Sequence, residues 1–303
     1  MTNKEKKHNH FVPQVYLRNF AHTIEERGKK KNYFVSTYDK IEQTESQKTS
    51  IEKICVKSKL YTLKGNTKED RERIENYYAG SFEKDYNRFY HIINDEEKIQ
   101  ISLDERALII ATVIHLYARN VFWLNAFNEL WTRMVRSFES PNPRNVYDEN
   151  GNLLFPFEAK STEEIVNDEK KATQQTYLTN HLEMTRNLIK SHSFDSIFVY
   201  KDKSDNNLIT SDRPVISPSV AGPFILPINK GTLLCIMPPK ENTKYDLMTI
   251  ARGNNEIFSD IMSHLSIDMM NSCQYENANR IIIGHDIEVL LQTMKNYQDF
   301  LMH

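Results

Sequence analysis

Three polar side chains of different chemistry recur every four residues near the start of the chain: His10, Gln14 and Arg18, within HNHFVPQVYLRNF. An imidazole can move a proton, an amide can orient a bound group, and a guanidinium can hold a phosphate through two hydrogen bonds. Residues four apart share one helix face, but Pro13 is tolerated only in a first turn, so His10 either joins that face or lies in an extended lead. The pattern predicts a phosphate site with His10 as general acid or base and Gln14 and Arg18 as substrate ligands.

The same stretch carries an apolar set that favours a structural role. Phe11, Val12, Val15, Leu17 and Phe20 can dock the segment into a core. In that alternative the polar residues would only satisfy buried backbone groups. The sequence leaves both interpretations open.

Two glutamates lie on the next periodic segment. Apolar residues recur at spacings of three and four from Asp70 to about Asn94, which predicts an amphipathic helix carrying Glu75 and Glu83. Eight residues at ~100° each place these carboxylates roughly 80° apart around the helix. Glu83 follows Phe82 and is drawn toward the core, so it is the better candidate for a catalytic acid, a base or a metal ligand. The alternative is an ordinary solvated or ion-paired glutamate.

A histidine and an arginine lie on the most apolar segment of the chain. His115 and Arg119 are four residues apart, hence on one face of the predicted helix. A charge on a buried helix must be paired, and Glu83 is a reasonable partner for Arg119. The same arrangement would also serve an anion pocket, so Arg119 is a candidate substrate ligand. His115 is predicted to be a core histidine.

The segment Thr210-Ser211-Asp212-Arg213-Pro214 ends a predicted strand. Asp212 is the best strand-borne carboxylate in the chain and a candidate catalytic residue, with Ser211 as a substrate contact. Together with Glu83 it could ligate a divalent metal such as Mg²⁺ or orient a water. The alternative is a structural turn, since Ser and Asp commonly cap turns and proline fixes the exit direction.

The elements that must position these residues follow from periodicity. Strands are predicted at 32–39 and 57–63, and a capping box of Ser102 and Glu105 starts a long helix that the prolines after 140 end. A loop rich in Pro, Asn and Gly spans 140–162, and a second capping box at 161–164 starts a helix that runs to about Ser191.

The last third reads as strands with one helix. SIFVY and LITSD are predicted to form a hairpin, PFILPI, TLLCIMP and RIIIGH are predicted strands, and a helix spans about 255–274. Helices and strands are segregated, which indicates an α+β fold: a helical middle packed on a mixed or antiparallel sheet formed mainly by the C-terminal half. We expect one domain over 1–303, with a soft sub-boundary near 140–162 and a disordered lead-in at 1–7.

Composition narrows the function classes. With a formal net charge of −2, the chain lacks the overall positive charge typical of non-specific nucleic-acid-binding proteins. Lys29–Lys31 is predicted to be a solvated loop. Three distant cysteines and no signal-like or membrane-length apolar run predict a cytoplasmic protein that does not contact a membrane. Glycine-rich dinucleotide and phosphate loops, HExxH and EF-hand patterns do not occur in the sequence. Their absence from the sequence argues against NAD(P), ATP, zinc-protease and calcium-binding functions.

Several blocks resemble one family in order along nearly the whole chain. The strip HFVPQVYLRNF, then IEKICVKSKLYTL, IENYYAGSFE, HLYARN and LITSDRPV are similar to the signature blocks of the bacterial family called domain of unknown function four-two-three-eight. The resemblance implies that Glu75 and Glu83 belong to a two-glutamate helix and that Arg119 belongs to a long helix. It implies no particular reaction.

The residues favour a phosphodiesterase, most simply a nuclease acting on RNA or DNA as a toxin-like effector in bacterial defence or conflict. A scattered set of one histidine, two arginines and two carboxylates suits such a composite site. The alternatives are a ligand-sensing or protein-interaction module with a structural polar core, and an enzyme acting on a nucleotide or NAD-like small molecule. The sequence does not determine the oligomeric state.

Overall fold

The computed structural model describes residues 8–122, 125, 129, 132–133, 148–152, 162–203, 207–238 and 255–302. Over these residues the chain has the predicted α+β architecture, with two larger sheets, one small sheet and helices packed against them. None of the described helices is both long enough and apolar enough to cross a membrane. The predicted lead-in at 1–7 lies outside the described residues, as does the predicted boundary at 140–162, except for 148–152 and its last residue.

The opening strip is part strand and part helix. Strand β1 (His8–His10) pairs antiparallel with β5 (Val56–Ser58), and helix α1 (Gln14–Leu17) continues into a 3₁₀ turn (Arg18–Phe20). Pro13 sits at the helix N-cap with extended backbone, φ −64° and ψ 142°, as the restriction on proline requires. His10 therefore lies in the extended lead, the second of the two predicted options.

The first sheet combines strands from both ends of the chain. Its order is β2-β3-β11-β7, and β4 pairs with the other edge of β3. The strands are β2 (Thr23–Arg27), β3 (Lys30–Asp39), β4 (Thr44–Ser50), β7 (Thr210–Ser211) and β11 (Ile281–Gly284). Sequence patterns missed β2 and β4 because their exposed residues lack an apolar alternation. The predicted strand 57–63 is only the three-residue β5.

The second sheet comes wholly from the C-terminal half. Its order is β10-β6-β9-β8, with β10 parallel to β6 and the other pairs antiparallel. The strands are β6 (Ser196–Lys201), β8 (Phe224–Asn229), β9 (Thr232–Met237) and β10 (Ile257–Ile261). The predicted SIFVY–LITSD hairpin is wrong, because β6 pairs with β9 and β10 whereas β7 pairs with β11 in the other sheet.

One predicted capping signal is confirmed, whereas the second begins at Ser161, outside the described residues. The predicted helix 255–274 is wrong in its first part, because 257–261 form β10 and the helix begins at His264. Ser102 and Glu105 form the predicted capping box, but the helix that they start ends at Ala118. The predicted helix 70–94 is broken into four pieces. The helices are α2 (Lys68–Arg71), α3 (Arg73–Tyr77), a π-helix (Tyr78–Glu83), α4 (Tyr86–Asn94), α5 (Leu103–Ala118), α6 (Thr162–Ser191), α7 (His264–Asn277) and α8 (Ile287–Met302).

The opening strip joins the two sheets through Tyr16. Its hydroxyl donates to the backbone carbonyl of Pro227 on β8, 2.7 Å away, and lies 2.6 Å from the Thr210 hydroxyl on β7. Val12, Leu17 and Phe20 are also fully buried in the main core. The apolar side of the strip therefore does the docking predicted for it, and its polar side can face elsewhere.

Candidate functional site

His10 is held as a neutral imidazole at the end of β1. Its Nε2 lies 3.2 Å from Nε2 of Gln14, and because an amide nitrogen can only donate, His10 Nε2 is the accepting nitrogen. Burial lowers the pKa of His10 below its usual value, opposed by hydrogen bonds to the backbone of Glu52 and Ile51. A half-buried neutral imidazole with one accepting nitrogen has the protonation state that a general base needs.

Gln14 connects His10 to an open polar cleft of about 400 Å³. The cleft is lined by Gln14, Arg18, Lys29–Lys31, Tyr33 and Glu52, so four cations face one carboxylate. Lys30 is ion-paired with Glu52 at 2.8 Å. The predicted solvated loop at 29–31 is a loop only at Lys29, in the turn of the β2–β3 hairpin, because Lys30 and Lys31 pair with β2 as the first residues of β3; all three line this cleft. Arg18, also predicted as a substrate ligand, is exposed here.

Arg119 lies behind this region, at the C-cap of α5, in a buried ion pair. Its side chain is 1% exposed and donates to Oε1 of Glu83 over 3.1 Å, whereas the Glu83 side chain is 36% exposed. The pairing predicted from sequence is thus present. Within the described part of the chain, Nε of Arg119 has no hydrogen-bond partner. Such a deeply buried guanidinium serves first to hold its surroundings together, since breaking a buried pair is strongly destabilising.

Aromatic rings and histidines enclose the guanidinium. Its Cζ lies 4.6 Å from the ring centroid of Tyr78 and 5.8 Å from that of Tyr61, and the Tyr61 hydroxyl donates to the Arg119 carbonyl. The Tyr78 hydroxyl lies 2.5 Å from Nε2 of His181. His115 contacts the edge of Tyr78, and burial lowers the pKa of both His115 and His181 to about 4. These neutral, bonded histidines are core residues, as was predicted for His115.

The π-helix explains how Tyr78 and Glu83 reach the same guanidinium. A regular α-helix would place residues five apart about 140° from each other around the axis, on different faces. The π-helix Tyr78–Glu83 has a wider turn, which brings its first and last side chains to the same side, so both contact Arg119. Such segments are rare and occur often at functional sites. The angular estimate made from an unbroken helix does not hold for Glu83.

His10 and the Arg119–Glu83 pair are electrostatically coupled. Arg119 lowers the pKa of His10, and Glu83 raises it. Three of the predicted site residues are therefore linked electrostatically: His10 on β1, Glu83 at the end of the π-helix and Arg119 at the end of α5. Gln14 adds a fourth through its contact with His10. Arg18 shares the cleft with Gln14 on the other side.

Asp212 and Ser211 have partners of a different kind. The two carboxylate oxygens of Asp212 accept the backbone N–H groups of Asn279 and Arg280 at 2.9 and 3.0 Å. Burial raises the pKa of Asp212 to about 6, against these hydrogen bonds. The Ser211 hydroxyl is fully buried, accepts from the Gln274 amide and also accepts the backbone N–H of Arg213. Asp212 fastens the turn to the α7–β11 connection and Ser211 fastens it to α7, which is the alternative interpretation of this segment.

The described donor groups do not fit a bound divalent metal at Glu83 and Asp212. One oxygen of Glu83 is taken by Arg119, and both oxygens of Asp212 accept backbone N–H groups. Among the described residues, no three His, Cys, Asp or Glu side chains are placed together to hold a metal ion. The metal role of this pair stays a prediction without a supporting contact, and no step below depends on it.

Sequence reasoning missed the aromatic enclosure and the basic hairpin wall. Tyr61, Tyr78 and His181 come from three distant segments, and no local pattern sets them apart from other core residues. The lysines were visible as a run, but a run alone does not show that Arg18 lies across from it. Glu75, named as the lesser glutamate, also acts electrostatically on Arg119.

The fold and the site define an α+β protein with a half-buried histidine between a basic cleft and a caged arginine. The chain belongs to the family described as Protein of unknown function (DUF4238), whose model matches residues 8–288, as the signature blocks indicated. No curated protein and no solved structure matches the chain.

Proposed function

We propose that this chain is a phosphodiesterase that cleaves nucleic acid, with His10 as the proton-transfer group. The observation that carries the proposal is the neutral His10 imidazole bonded through Gln14 to a cleft with four cations. A phosphodiester needs cationic donors for its oxygens and a base for the attacking nucleophile. Both are present within one short segment and the hairpin beside it.

The roles follow from exposure and partners. The Arg18 side chain is exposed in the cleft and can hold a phosphate oxygen, with the hairpin lysines adding charge. Gln14 is placed to move its amide from His10 to a phosphate oxygen. Nε2 of His10 is then free to take a proton from the attacking oxygen and return it to the leaving oxygen.

Arg119 and Glu83 act in this proposal as positioning residues. Their opposite charges shift the pKa of His10 in opposite directions, so burial remains the main cause of its lowered pKa. The pair also fixes the end of α5 against the π-helix. Asp212 and Ser211 have no catalytic role in this scheme, since their polar atoms are bonded to the fold.

The test is cleavage by the full chain of labelled RNA and DNA and of bis(p-nitrophenyl) phosphate. His10→Ala is expected to lower the rate about 100-fold or more, the usual contribution of a general acid or base. His91→Ala, at an exposed histidine on α4, is the matched control and is expected to stay within about twofold of wild type. Cleavage by His10→Ala at the wild-type rate would remove His10 from the mechanism.

A binding module is the second candidate, favoured by the structural partners of Arg119, Asp212 and Ser211. It predicts that wild type binds nucleic acid or a nucleotide without turnover under any condition. In that outcome the phosphodiesterase proposal is wrong and the cleft is a recognition site. We propose that the nuclease acts in the cytoplasm as a toxin-like effector in bacterial defence. Expression of the wild-type chain should then be toxic, and expression of His10→Ala should not.

A further inference from the structure

We propose that the cleft beside His10 takes a single strand of nucleic acid, with phosphates on the hairpin lysines and a base against the Arg18–Tyr33 pair. The inference rests on the proposed function for the place of the reaction, but it concerns recognition, which is measured separately. Its basis is the size of the basic surface and the aromatic ring within it.

The basic wall is short. It begins in the turn of the β2–β3 hairpin, where Gly28 has φ +65° and Lys29 follows, and it continues with Lys30 and Lys31 at the start of β3. Three consecutive residues span at most ~7 Å between their outer Cα atoms. Lys30 and Lys31 also bridge to Glu52 and Glu26, at 2.8 and 3.0 Å. Such a wall can meet about two or three phosphates in a row.

A duplex requires a wider footprint than this cleft offers. Proteins that bind duplex DNA tightly make about six to ten phosphate contacts, distributed over both strands. The chain as a whole carries a net charge of −2, so the positive charge in the cleft is local. A cleft of about 400 Å³ is the size of a small-ligand site, which suits one or two nucleotides better than the breadth of a double helix.

The cleft also contains a stacking surface that only an unpaired base can use. Cζ of Arg18 lies 5.0 Å from the ring centroid of Tyr33, so a guanidinium plane and an aromatic ring meet at the cleft wall. Bases of a single strand expose their faces and stack on such groups, whereas paired bases are already stacked on each other. Lys30, Lys31 and Tyr33 lie on the same strand, β3, which fixes their separation, and Lys29 precedes them in the turn.

The experiment measures binding of the catalytically silenced full chain, His10→Ala, to labelled oligonucleotides of about ten residues by fluorescence anisotropy. We expect single strands to bind at least about tenfold more tightly than the matched duplex. Over roughly 50–300 mM KCl, about three phosphate contacts should give a slope of about −2 in log affinity against log salt. In the same background, Lys29→Ala should reduce that slope by about 0.7.

The stacking contact is tested with two substitutions at one position, each in the His10→Ala background. Tyr33→Leu is expected to weaken single-strand binding about fivefold or more, and Tyr33→Phe to retain it, because the ring and not the hydroxyl stacks. Circular dichroism shows whether each variant is folded, and the Phe variant keeps the test valid if Leu is not. Tyr297→Leu and Lys295→Ala, both on α8, are the matched controls.

Three results would overturn the inference: duplex binding as tight as single-strand binding, a salt slope near zero, or a mononucleotide that competes as well as the oligomer. The proposed function fails separately. If wild type cleaves single strands and duplexes equally, the phosphodiesterase stands and the inference is wrong. If wild type cleaves nothing while Arg18→Ala and Tyr33→Leu weaken single-strand binding, the inference stands and the phosphodiesterase is wrong.

Discussion

The opening strip and the turn at 210–214 contain similar polar chemistry and use it in opposite ways. In the strip, His10 and Gln14 bond to each other at 3.2 Å, Gln14 and Arg18 line an open cleft, and Arg18 is exposed. In the turn, Asp212 is 5% exposed and both carboxylate oxygens accept backbone N–H groups. One region has polar groups that a ligand can reach, and the other has already bonded them to the fold.

This difference separates two meanings of a perturbed pKa. Burial shifts the pKa of His10 downward and that of Asp212 upward, to about 6. Such shifts accompany active sites, but structural networks produce them as well. What distinguishes the two residues is access: the Asp212 carboxylate is buried with one backbone N–H on each oxygen, whereas His10 is bonded to Gln14, which lines an open cleft.

The largest effect is expected at the cage behind the strip. Arg119→Ala should lower the free energy of unfolding by about 3–5 kcal/mol, because it leaves the aromatic cage empty and Glu83 without its partner. Urea denaturation measures it. Arg186→Ala is the control, since that guanidinium also lies over a ring, Tyr77, but is exposed. A loss below about 1 kcal/mol for Arg119→Ala would mean that the cage is not a structural centre.

Substitution of Asp212 in the turn at 210–214 should lower the stability of the protein but not its rate of cleavage. Asp212→Ala removes the acceptor of two backbone N–H groups, and each such loss costs about 1–3 kcal/mol, so we expect about 3 kcal/mol in total. Cleavage per folded molecule should stay within about twofold of wild type, with Asp268→Ala as an exposed control. A 100-fold loss of cleavage in a folded Asp212→Ala protein would return Asp212 to the catalytic set.

The caged histidines should make stability depend on pH. His181 has a folded pKa of about 4 against 6.5 when unfolded, so the unfolded chain binds the proton first as the pH falls. Its contribution is complete above pH ~6.5 and is lost toward pH ~4, about 3 kcal/mol in all. His181→Gln, which keeps a hydrogen bond to Tyr78, should flatten the curve of unfolding free energy by that amount. The exposed control His91→Gln should not, and equal curves for all three proteins would contradict the assignment.

The smallest change in stability is expected in the strip, where the change in activity is largest. His10→Ala and Arg18→Ala should each alter the free energy of unfolding by less than about 1 kcal/mol, because neither fills the core. Cleavage should nevertheless fall strongly in both. If both variants lost about 3 kcal/mol of unfolding free energy, the polar side chains of the strip would be structural, like those of the turn at 210–214.

Local signals in the sequence located several elements correctly. The Ser102–Glu105 capping box starts α5, and Pro13 places the start of α1 at Gln14. The apolar side of the strip docks as predicted, and the Arg119–Glu83 pair forms. These succeed because capping, proline geometry and the need to pair a buried charge depend on the nearest residues.

Other predictions required information that neighbouring residues do not contain. SIFVY and LITSD read as a hairpin, yet they belong to different sheets, because strand pairing is decided by the burial of whole faces. The π-helix interrupts a periodic segment without any recognisable local sequence signal, and it changes which side chains share a face with Glu83.

The sequence by itself determined the α+β class, the family and the list of polar residues capable of chemistry. Only the tertiary structure decided which of them face an open cleft, because that depends on where distant segments supply hydrogen-bond partners. Asn279 and Arg280 take up Asp212 from 67 and 68 residues away, and Tyr78 encloses Arg119 from the π-helix. Gln14, the hydrogen-bond partner of His10, was left in one cleft with the lysines of a hairpin that the sequence alone had assigned to solvent.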